Sequence, residues 1–235
     1  MKKTIDPRQN HLLDKLTASG KHQNLFLALD VVALRAGEIL AEPDQPSGYV
    51  YFPLDCTVSL YYPMDHGTSA EIALIGNEGM FSVVPLLGGE TLPYRATVET
   101  SGHACRLEER ILQRELERSA ELGRVLKLYT QALFVQIAQI SVCGRHHSLR
   151  QQLCLHLLLM HDRAPDGRFM LTQQAMAHML GVRRESVTKV SGELRDEGLI
   201  DYSRGRVTVL ARAALEAECC ECYGVVFREF HRLLA

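Results

Sequence analysis

The sequence predicts an α+β protein with an N-terminal β-barrel, a long helix and a C-terminal winged helix-turn-helix. Three patterns predict this order. Short apolar runs occupy the N-terminal part, a helical pattern without proline follows, and two short helices with a hairpin lie near the end. The chain has 235 residues, which is enough for two domains with separate cores.

Short apolar segments follow a helical opening that contains Leu12, Leu13 and Leu16. They are rich in aromatic and β-branched residues, and Pro, Gly and Asp separate them. The clearest are residues 49–52, 58–62 and 70–75. Strands of this length with turn residues between them are typical of an all-β barrel, which we expect to end near residue 108.

A helical pattern without proline extends from about Glu109 to Gly144. Two adjacent apolar stripes follow it at spacings of three and four residues. The stripe expected to pack on the barrel is Leu122, Leu126, Tyr129, Leu133, Gln136 and Ile140. The stripe expected to pair with a second subunit is Val125, Leu128, Ala132, Val135 and Gln139. Gln136 and Gln139 interrupt these apolar stripes, and they either fix the register between subunits or simply face water.

The segment 171–210 has the pattern of a winged helix-turn-helix. Thr172 is suited to cap a first helix, and Gly181 ends it with the backbone freedom that a tight turn requires. A second helix begins near Arg183 and repeats apolar residues at helical spacing, and a small hairpin follows around Arg204. This arrangement presents a basic, polar helix start to solvent.

The start of the second helix carries side chains suited to DNA recognition. A helix fits the major groove of B-DNA, where an arginine fork binds guanine O6 and N7 and a glutamate accepts from cytosine N4. Arg184 and Glu185 occupy this turn. We expect both to read bases, and each good contact discriminates by about 1–3 kcal/mol.

At Arg183-Arg184-Glu185-Ser186-Val187 the sequence resembles the Crp/Fnr family of bacterial transcription regulators. The resemblance implies a cytoplasmic homodimer that binds a palindromic operator on double-stranded DNA and contacts RNA polymerase. It implies a cyclic-nucleotide-binding-like barrel of the jelly-roll (double-stranded β-helix) type over 1–108. A dimerisation helix and hinge would cover 109–144, and a winged helix-turn-helix domain with a C-terminal helix would cover 145–235.

The resemblance assigns roles to further residues of the DNA-binding domain. Lys189 stands where well-known members carry an arginine, so we expect a third base-reading residue with a looser contact. Contacts to the DNA backbone position a protein without reading sequence. The residues expected to make them are Thr172, Gln173, Arg183, Ser186 and Arg204.

The barrel is expected to sense a small-molecule effector whose identity the sequence does not reveal. Family members that bind cyclic nucleotides carry a Gly-Glu pair, a short helix and then Arg-Ser/Thr-Ala. The matching residues here are 79–82 and 94–98, where the Glu is missing and Arg95 stands at the Ser/Thr position. This departure argues against a cyclic nucleotide. Residues expected to line a pocket for another ligand are Glu71, Gly79 and Arg95, although Arg95 equally fits a solvated strand position.

Charge and composition fit a cytoplasmic DNA-binding protein. The net charge is −2, but residues 143–235 carry thirteen Lys and Arg against eleven Asp and Glu, so the basic excess lies on the DNA-binding side. No segment has the roughly 20 uninterrupted apolar residues that span a bilayer, and no secretory signal is expected. Hydrolase, phosphate-loop and zinc-protease motifs are absent, which argues against an enzyme.

Seven cysteines raise the alternative of a thiol or metal redox sensor of the same family. Members with iron–sulfur clusters carry cysteines near the N-terminus, so the spacing argues against iron–sulfur or haem cofactors. Cys219, Cys220 and Cys222 are close in sequence, and Cys143 with His147 forms half of a metal site, but four-ligand spacing is absent. We therefore expect no metal site. The other alternative is a cyclic-nucleotide-type regulatory protein that does not bind DNA.

Overall fold

The computed structural model describes residues 5–18, 20–64, 69–164 and 167–234. An N-terminal arm contains the short helices α1 (His11–Thr17) and α2 (Gln23–Leu27), whose leucines join the barrel core. Asn10 anchors this arm. Its side-chain oxygen caps α1, and its Nδ2 donates to the carbonyl oxygens of Pro53 and Gly79.

The barrel consists of two antiparallel sheets around one core. In the described part of the chain, one sheet has the order β1-β7-β3 and the other β2-β6-β4-β5, and no pairing joins them into a closed cylinder. The strands are β1 (Asp30–Leu34), β2 (Ile39–Ala41), β3 (Tyr49–Pro53), β4 (Thr57–Pro63), β5 (Ser69–Ile75), β6 (Arg95–Thr100) and β7 (Gly102–Glu108), with a short helix α3 (Val84–Leu87) before β6. This is the jelly-roll arrangement that the family resemblance implies.

Apolar side chains fill the space between the two sheets. Phe52, Leu60, Ile75, Phe81 and Leu107 are almost completely buried there. Protein interiors are packed about as densely as organic crystals, so such a core leaves little room for a ligand. The centre of the barrel is therefore structural.

The long helix predicted between the domains is in fact two helices. α4 (Glu109–Arg118) and α5 (Ala120–His146) meet at Ser119, where the backbone is extended (φ −133°, ψ 103°). The Ser119 hydroxyl oxygen accepts from the N–H of Leu122 and caps α5. The predicted helical segment is thus interrupted at residue 119, because a serine can satisfy the first N–H groups of a new helix, and the long helix itself is α5.

Helix α5 packs on the barrel through the stripe that the sequence predicts. Tyr129 is completely buried, and its hydroxyl donates to the carbonyl oxygen of Met80 at 2.8 Å. Among the described helices, α5 is the one with the length and hydropathy to cross a membrane, and 39% of its most apolar window is buried in the fold. Packing on the barrel accounts for this buried part of its apolar surface.

The C-terminal domain has its own core around helix α6. Its elements are α6 (Leu149–Arg163), β8 (Arg168–Met170), α7 (Gln173–Leu180), α8 (Arg184–Asp196), β9 (Ile200–Ser203), β10 (Arg206–Val209), α9 (Arg212–Glu218) and α10 (Glu221–Leu234). The predicted hairpin is β9–β10, and β8 adds a third strand in the order β8-β10-β9. The domain is thus a winged helix-turn-helix.

The last helix, α10, returns to the barrel along α5. Phe230 and Leu234 pack against the barrel core, and the ring of Phe230 lies 6.4 Å from that of Tyr129 between centroids. The Nζ of Lys15 donates to the carbonyl oxygen of Leu234 at 3.2 Å. The C-terminal domain is therefore attached to the barrel through α10 as well as through the connection from α5 to α6.

Candidate DNA-binding surface and interdomain contacts

Local signals fix the geometry of the helix-turn-helix. The Thr172 hydroxyl oxygen accepts from the N–H of Ala175 and caps α7, as predicted. Gly181 ends α7 in the left-handed conformation (φ 63°), which glycine adopts without strain. The chain can then turn within three residues, and α8 begins at Arg184 with Arg183 as its N-cap.

The two faces of α8 differ sharply in exposure. Val187 and Leu194 are completely buried in the domain core. The predicted base-reading residues Arg184, Glu185 and Lys189 are all exposed. The core thus holds the helix by one face and leaves its first turn and a half open to solvent, which is the presentation that entry into a major groove requires.

The residues predicted to contact the DNA backbone lie around this turn. Some are simply exposed, and others make hydrogen bonds within the domain. Arg183 and Ser186 are exposed beside the start of α8, and Arg204 forms the tip of the wing in a left-handed conformation (φ 52°). The amide oxygen of Gln173 accepts from the Thr188 hydroxyl at 2.9 Å. Gln173 therefore ties α7 to α8 as well as facing outward.

Thr188 is an exposed residue of this surface that the sequence analysis did not single out. It lies one helical turn after Arg184, and its hydroxyl oxygen is also 2.9 Å from the Arg184 carbonyl oxygen. The spacing of four residues on a helix was the signal that could have identified it.

The structure does not bring the three predicted effector residues into one pocket. Gly79 lies under α5, where an added Cβ would come within 2.3 Å of the Tyr129 ring. The Glu71 side chain is fully buried and faces helix α6. Arg95 is half-exposed and pairs with Glu42 at 2.9 Å. The expected shared pocket is therefore wrong, because the strand and the loops direct these residues to separate surroundings.

Part of the stretch that matches the nucleotide-binding stretch of the family lines a very small crevice, whereas its Arg95 and Thr97 line a separate pocket of about 260 Å³. The crevice has a volume of about 10 Å³ and lies between Ser82 and Tyr94, with Glu42 and Glu90 in its lining. A single water molecule needs about 10–15 Å³, whereas ligand pockets have about 300–1,000 Å³. The two carboxylates would also repel a phosphate group.

A buried polar cluster lies where the barrel meets the C-terminal domain. The Tyr61 hydroxyl contacts the carboxylate of Glu99 at 2.9 Å, and the His156 Nε2 lies 3.3 Å from Glu71 Oε1. Burial, with a smaller contribution from Glu71, raises the pKa of Glu99 to about 7. Burial opposes protonation of His156, but the Glu71 carboxylate outweighs it and raises the His156 pKa.

Further polar contacts hold the domains together. Arg163 of α6 pairs with Glu78 of the barrel at 2.7 Å and donates to the Gln136 side-chain oxygen at 3.0 Å. Gln136 in turn donates to the carbonyl oxygen of Leu74 at 2.8 Å. Gln136 is thus a buried interdomain residue, so the interpretation that it faces water or a second subunit was wrong. His178 of α7 hydrogen-bonds Ser69 of β5.

The outward side of α5 only partly matches the predicted dimerisation stripe. Val125 and Ala132 are buried within their own chain and are unavailable to a partner, so this part of the prediction was wrong. Leu128, Val135 and Gln139 are half-exposed. The exposed apolar residues of the helix complete a surface that we call the outer face of α5: Leu128, Phe134, Val135, Ala138 and Val142.

Three cysteines and one histidine come together between the end of α5 and the start of α10. The ligand atoms of Cys143, His147, Cys220 and Cys222 all lie within 4.8 Å of one another. Burial raises the pKa of the Cys222 thiol to about 12 and that of Cys143 above its ordinary range. Sequence spacing could not show this cluster, because 72 residues, which include most of the C-terminal domain, separate His147 from Cys220.

Comparison with known proteins supports both domains. Residues 31–119 match the cyclic nucleotide-binding domain family, and residues 151–218 match the Crp-like helix-turn-helix domain family. The chain is 25% identical over 201 residues to the global nitrogen regulator of Synechococcus elongatus, covering 82% of this chain and 90% of that protein. The corresponding regulator of Synechocystis sp. is 24% identical over 185 residues, covering 75% and 82%.

Solved structures share the fold at low identity. FixK2 from Bradyrhizobium japonicum has a TM-score of 0.70 at 17% identity and covers 82% of this chain and 98% of its own. A CRP-family transcriptional regulator from Thermus thermophilus has a TM-score of 0.65 at 21% identity, covering 80% and 95%. With both domain families matched in the order that the fold shows, the chain belongs to the Crp/Fnr family of transcription regulators.

Proposed function

We propose that this regulator is a homodimer that binds a palindromic DNA operator through the first turn of α8. The observation that carries the proposal is the exposure of Arg184, Glu185 and Lys189 on a helix whose opposite face is buried. A helix held in this way can enter the major groove without rearranging its own domain. No catalytic role is proposed.

Within this proposal the exposed residues divide into two groups. Arg184 and Glu185 read a G·C-containing half-site, and Lys189 adds a contact whose point charge discriminates less than an arginine fork. Thr188, on the same face, lies between them and joins the base-facing set. Contacts with the DNA backbone come from Thr172, Gln173, Arg183, Ser186 and Arg204.

The proposed dimer forms through the outer face of α5. Phe134 is 70% exposed in the single chain and Val142 is 45% exposed, although both lie on an otherwise well-packed helix. Residues of this face are separated by three, four and seven positions, which suits helix pairing about a twofold axis. A twofold dimer places its two recognition helices on half-sites about 34 Å apart.

We also propose that the effector is a small molecule other than a cyclic nucleotide. The crevice of about 10 Å³ is too small for a nucleotide, and its two glutamates would repel a phosphate. Arg95 already forms an ion pair with Glu42. Calorimetric titration of the protein with cyclic AMP and cyclic GMP should give no binding heat. Saturable binding of either nucleotide would contradict this part of the proposal. The regulator is expected to act in the cytoplasm with RNA polymerase as a partner.

Three arginine variants test the assignment of DNA contacts. Arg184→Ala should reduce discrimination between operator and random DNA by about ten- to a hundredfold, because a bidentate base contact is lost. Arg204→Ala should weaken binding to both DNAs alike and lower the salt dependence. Arg195→Ala is the matched control, since Arg195 is exposed at the far end of α8 and pairs with Asp196.

Gel-shift titrations on both DNAs at two salt concentrations measure these effects. Equal losses on operator and random DNA for Arg184→Ala would show that Arg184 does not read bases. If Arg195→Ala lost discrimination between operator and random DNA as strongly as Arg184→Ala, the base contacts could not be assigned to the start of α8.

A further inference from the structure

We propose that Cys143, His147, Cys220 and Cys222 form a tetrahedral zinc site that joins the end of α5 to the start of α10. Cys143 and His147 are four residues apart on α5 and its C-cap, so they share one face of the helix. Cys220 and Cys222 flank the first residue of α10. The fold thus assembles a Cys₃His set, which is a standard ligand set of structural zinc sites.

Two of the distances between the ligand atoms match those around a single tetrahedral ion, and all four ligand atoms lie within 4.8 Å of one another. Zinc–sulfur bonds of about 2.3 Å at tetrahedral angles place two sulfurs about 3.8 Å apart, and a sulfur and an imidazole nitrogen about 3.6 Å apart. The Sγ atoms of Cys143 and Cys220 are 3.5 Å apart. The Cys222 Sγ and the His147 Nδ1 are 3.6 Å apart. Small adjustments of side chains would complete the coordination.

The second nitrogen of His147 has the partner that a metal-binding histidine usually has. Its Nε2 lies 3.4 Å from the Oε2 of Glu221. A carboxylate in this position holds the proton on Nε2 and so directs the lone pair of Nδ1 toward the three sulfurs. The carbonyl oxygen of His147 also accepts from the Gln152 side chain at 2.8 Å, which fixes the backbone at this point.

The chemistry of the donor set selects the cation. Three thiolates and an imidazole are soft and borderline ligands, which exclude magnesium and calcium and favour zinc. An iron–sulfur cluster distributes its ligands over several irons and needs a wider cage than one in which all ligand atoms lie within 4.8 Å. On binding, Zn²⁺ forms three Zn–S bonds and one Zn–N bond, and the three thiols release their protons to solvent.

The position of the site gives the ion a defined structural effect. Helix α5 ends at His146 and α6 begins at Leu149, so the ligands lie where the chain passes into the DNA-binding domain. Zinc would connect this junction to α10, the helix that returns to the barrel. Because an ion that binds the folded state stabilises it, occupancy would restrict movement between the two domains.

The test uses the purified, reduced full-length protein, dialysed against Zn²⁺ and then freed of unbound metal. Elemental analysis should give one zinc per chain. Addition of Co²⁺ to the metal-free protein should produce the visible and thiolate charge-transfer absorption of a tetrahedral site, saturating at one equivalent. A reduced, folded wild-type protein that holds no stoichiometric zinc and gives no such absorption overturns the proposal.

Neighbouring cysteines provide a matched control. Cys220→Ser and Cys222→Ser should each weaken Co²⁺ binding by at least tenfold, whereas Cys219→Ser, in the same segment but outside the cluster, should bind as the wild type does. Circular dichroism confirms that each variant folds. Removal of zinc by a chelator should lower the melting temperature of the wild type and of Cys219→Ser, but not that of Cys220→Ser or Cys222→Ser. Equal loss of binding in all three variants would contradict the assigned ligands. Metal content does not depend on DNA, so this result stands apart from the test of operator binding.

Discussion

The Nε2 of His156 lies 3.3 Å from the Oε1 of Glu71, and the two side chains are buried where α6 meets β5. Neither has significant access to solvent, so each depends on the other to compensate its charge. Glu71 belongs to the barrel and His156 to the DNA-binding domain. The pair therefore makes the contact between these domains sensitive to single substitutions and to pH.

Removal of one partner of this buried pair should lower the stability of the fold considerably. His156→Leu leaves the Glu71 carboxylate buried without a counter-charge and should lower the free energy of unfolding by about 3 kcal/mol. The double variant Glu71→Gln with His156→Leu should recover much of the loss, because no charge remains buried. Urea unfolding measures both. Glu42→Gln, which breaks the exposed pair with Arg95, should cost less than about 1 kcal/mol.

A double variant as unstable as His156→Leu would show that packing and not charge accounts for the effect. If Glu42→Gln lowered the free energy of unfolding as much as His156→Leu, the buried pair would stabilise the fold no more than the exposed pair of Glu42 and Arg95.

The buried cluster should make the protein less stable as pH rises. Glu99, with its pKa raised from 4.5 to about 7, retains a proton between these values that the unfolded chain has released, so stability falls across this window. The raised pKa of His156 acts in the same direction: its contribution is complete below pH 6.5 and is lost as pH rises through the higher folded value.

Glu99→Gln separates the two contributions. It should remove the part of the pH dependence that lies between pH 4.5 and 7, at most about 3 kcal/mol, and leave the part due to His156. Melting temperatures of the wild type and the variant from pH 5 to pH 8 provide the comparison. Parallel curves over the whole range would mean that Glu99 is ionised in the folded protein.

Alanine substitutions at Gly79 and Gly144 should change the stability of the protein in opposite directions. Gly79→Ala places a Cβ 2.3 Å from the buried Tyr129 ring and should destabilise the fold by about 2–3 kcal/mol. At Gly144, near the end of α5, a Cβ would meet nothing within 4 Å, so Gly144→Ala should stabilise the helix by about 0.5–1 kcal/mol. Thermal unfolding measures both changes, and a neutral Gly79→Ala would contradict the close approach to Tyr129.

The outer face of α5 should control subunit association. Phe134→Glu introduces a charge at the centre of this face and should convert the proposed dimer into a monomer at micromolar concentration. Leu27→Glu is the control, because Leu27 is 85% exposed on α2 and does not belong to the outer face of α5. Sedimentation velocity distinguishes the two states. A Phe134→Glu protein that sediments as the wild-type dimer would place the interface elsewhere.

Features determined by neighbouring residues were predictable from the sequence, and features assembled from distant parts of the chain were not. Thr172 and Gly181 set the limits of α7 through local caps, so the helix-turn-helix and its exposed Arg184 were located correctly. The burial of Val125 and Ala132 depends on how α5 packs in three dimensions. The pairing of His156 with Glu71 depends on contact between two domains. Hydrophobic periodicity carries no information about either.

The most direct test of the central claim is selection of DNA from a random pool by the purified, effector-free protein at near-physiological salt, with sequencing of the bound fraction. We predict enrichment of an inverted repeat whose half-sites are centred about 34 Å apart, and loss of this enrichment in Arg184→Ala. An Arg184→Ala variant that enriches the same repeat would contradict the account. A folded, dimeric wild-type protein that enriches no sequence would contradict specific DNA binding by the effector-free form.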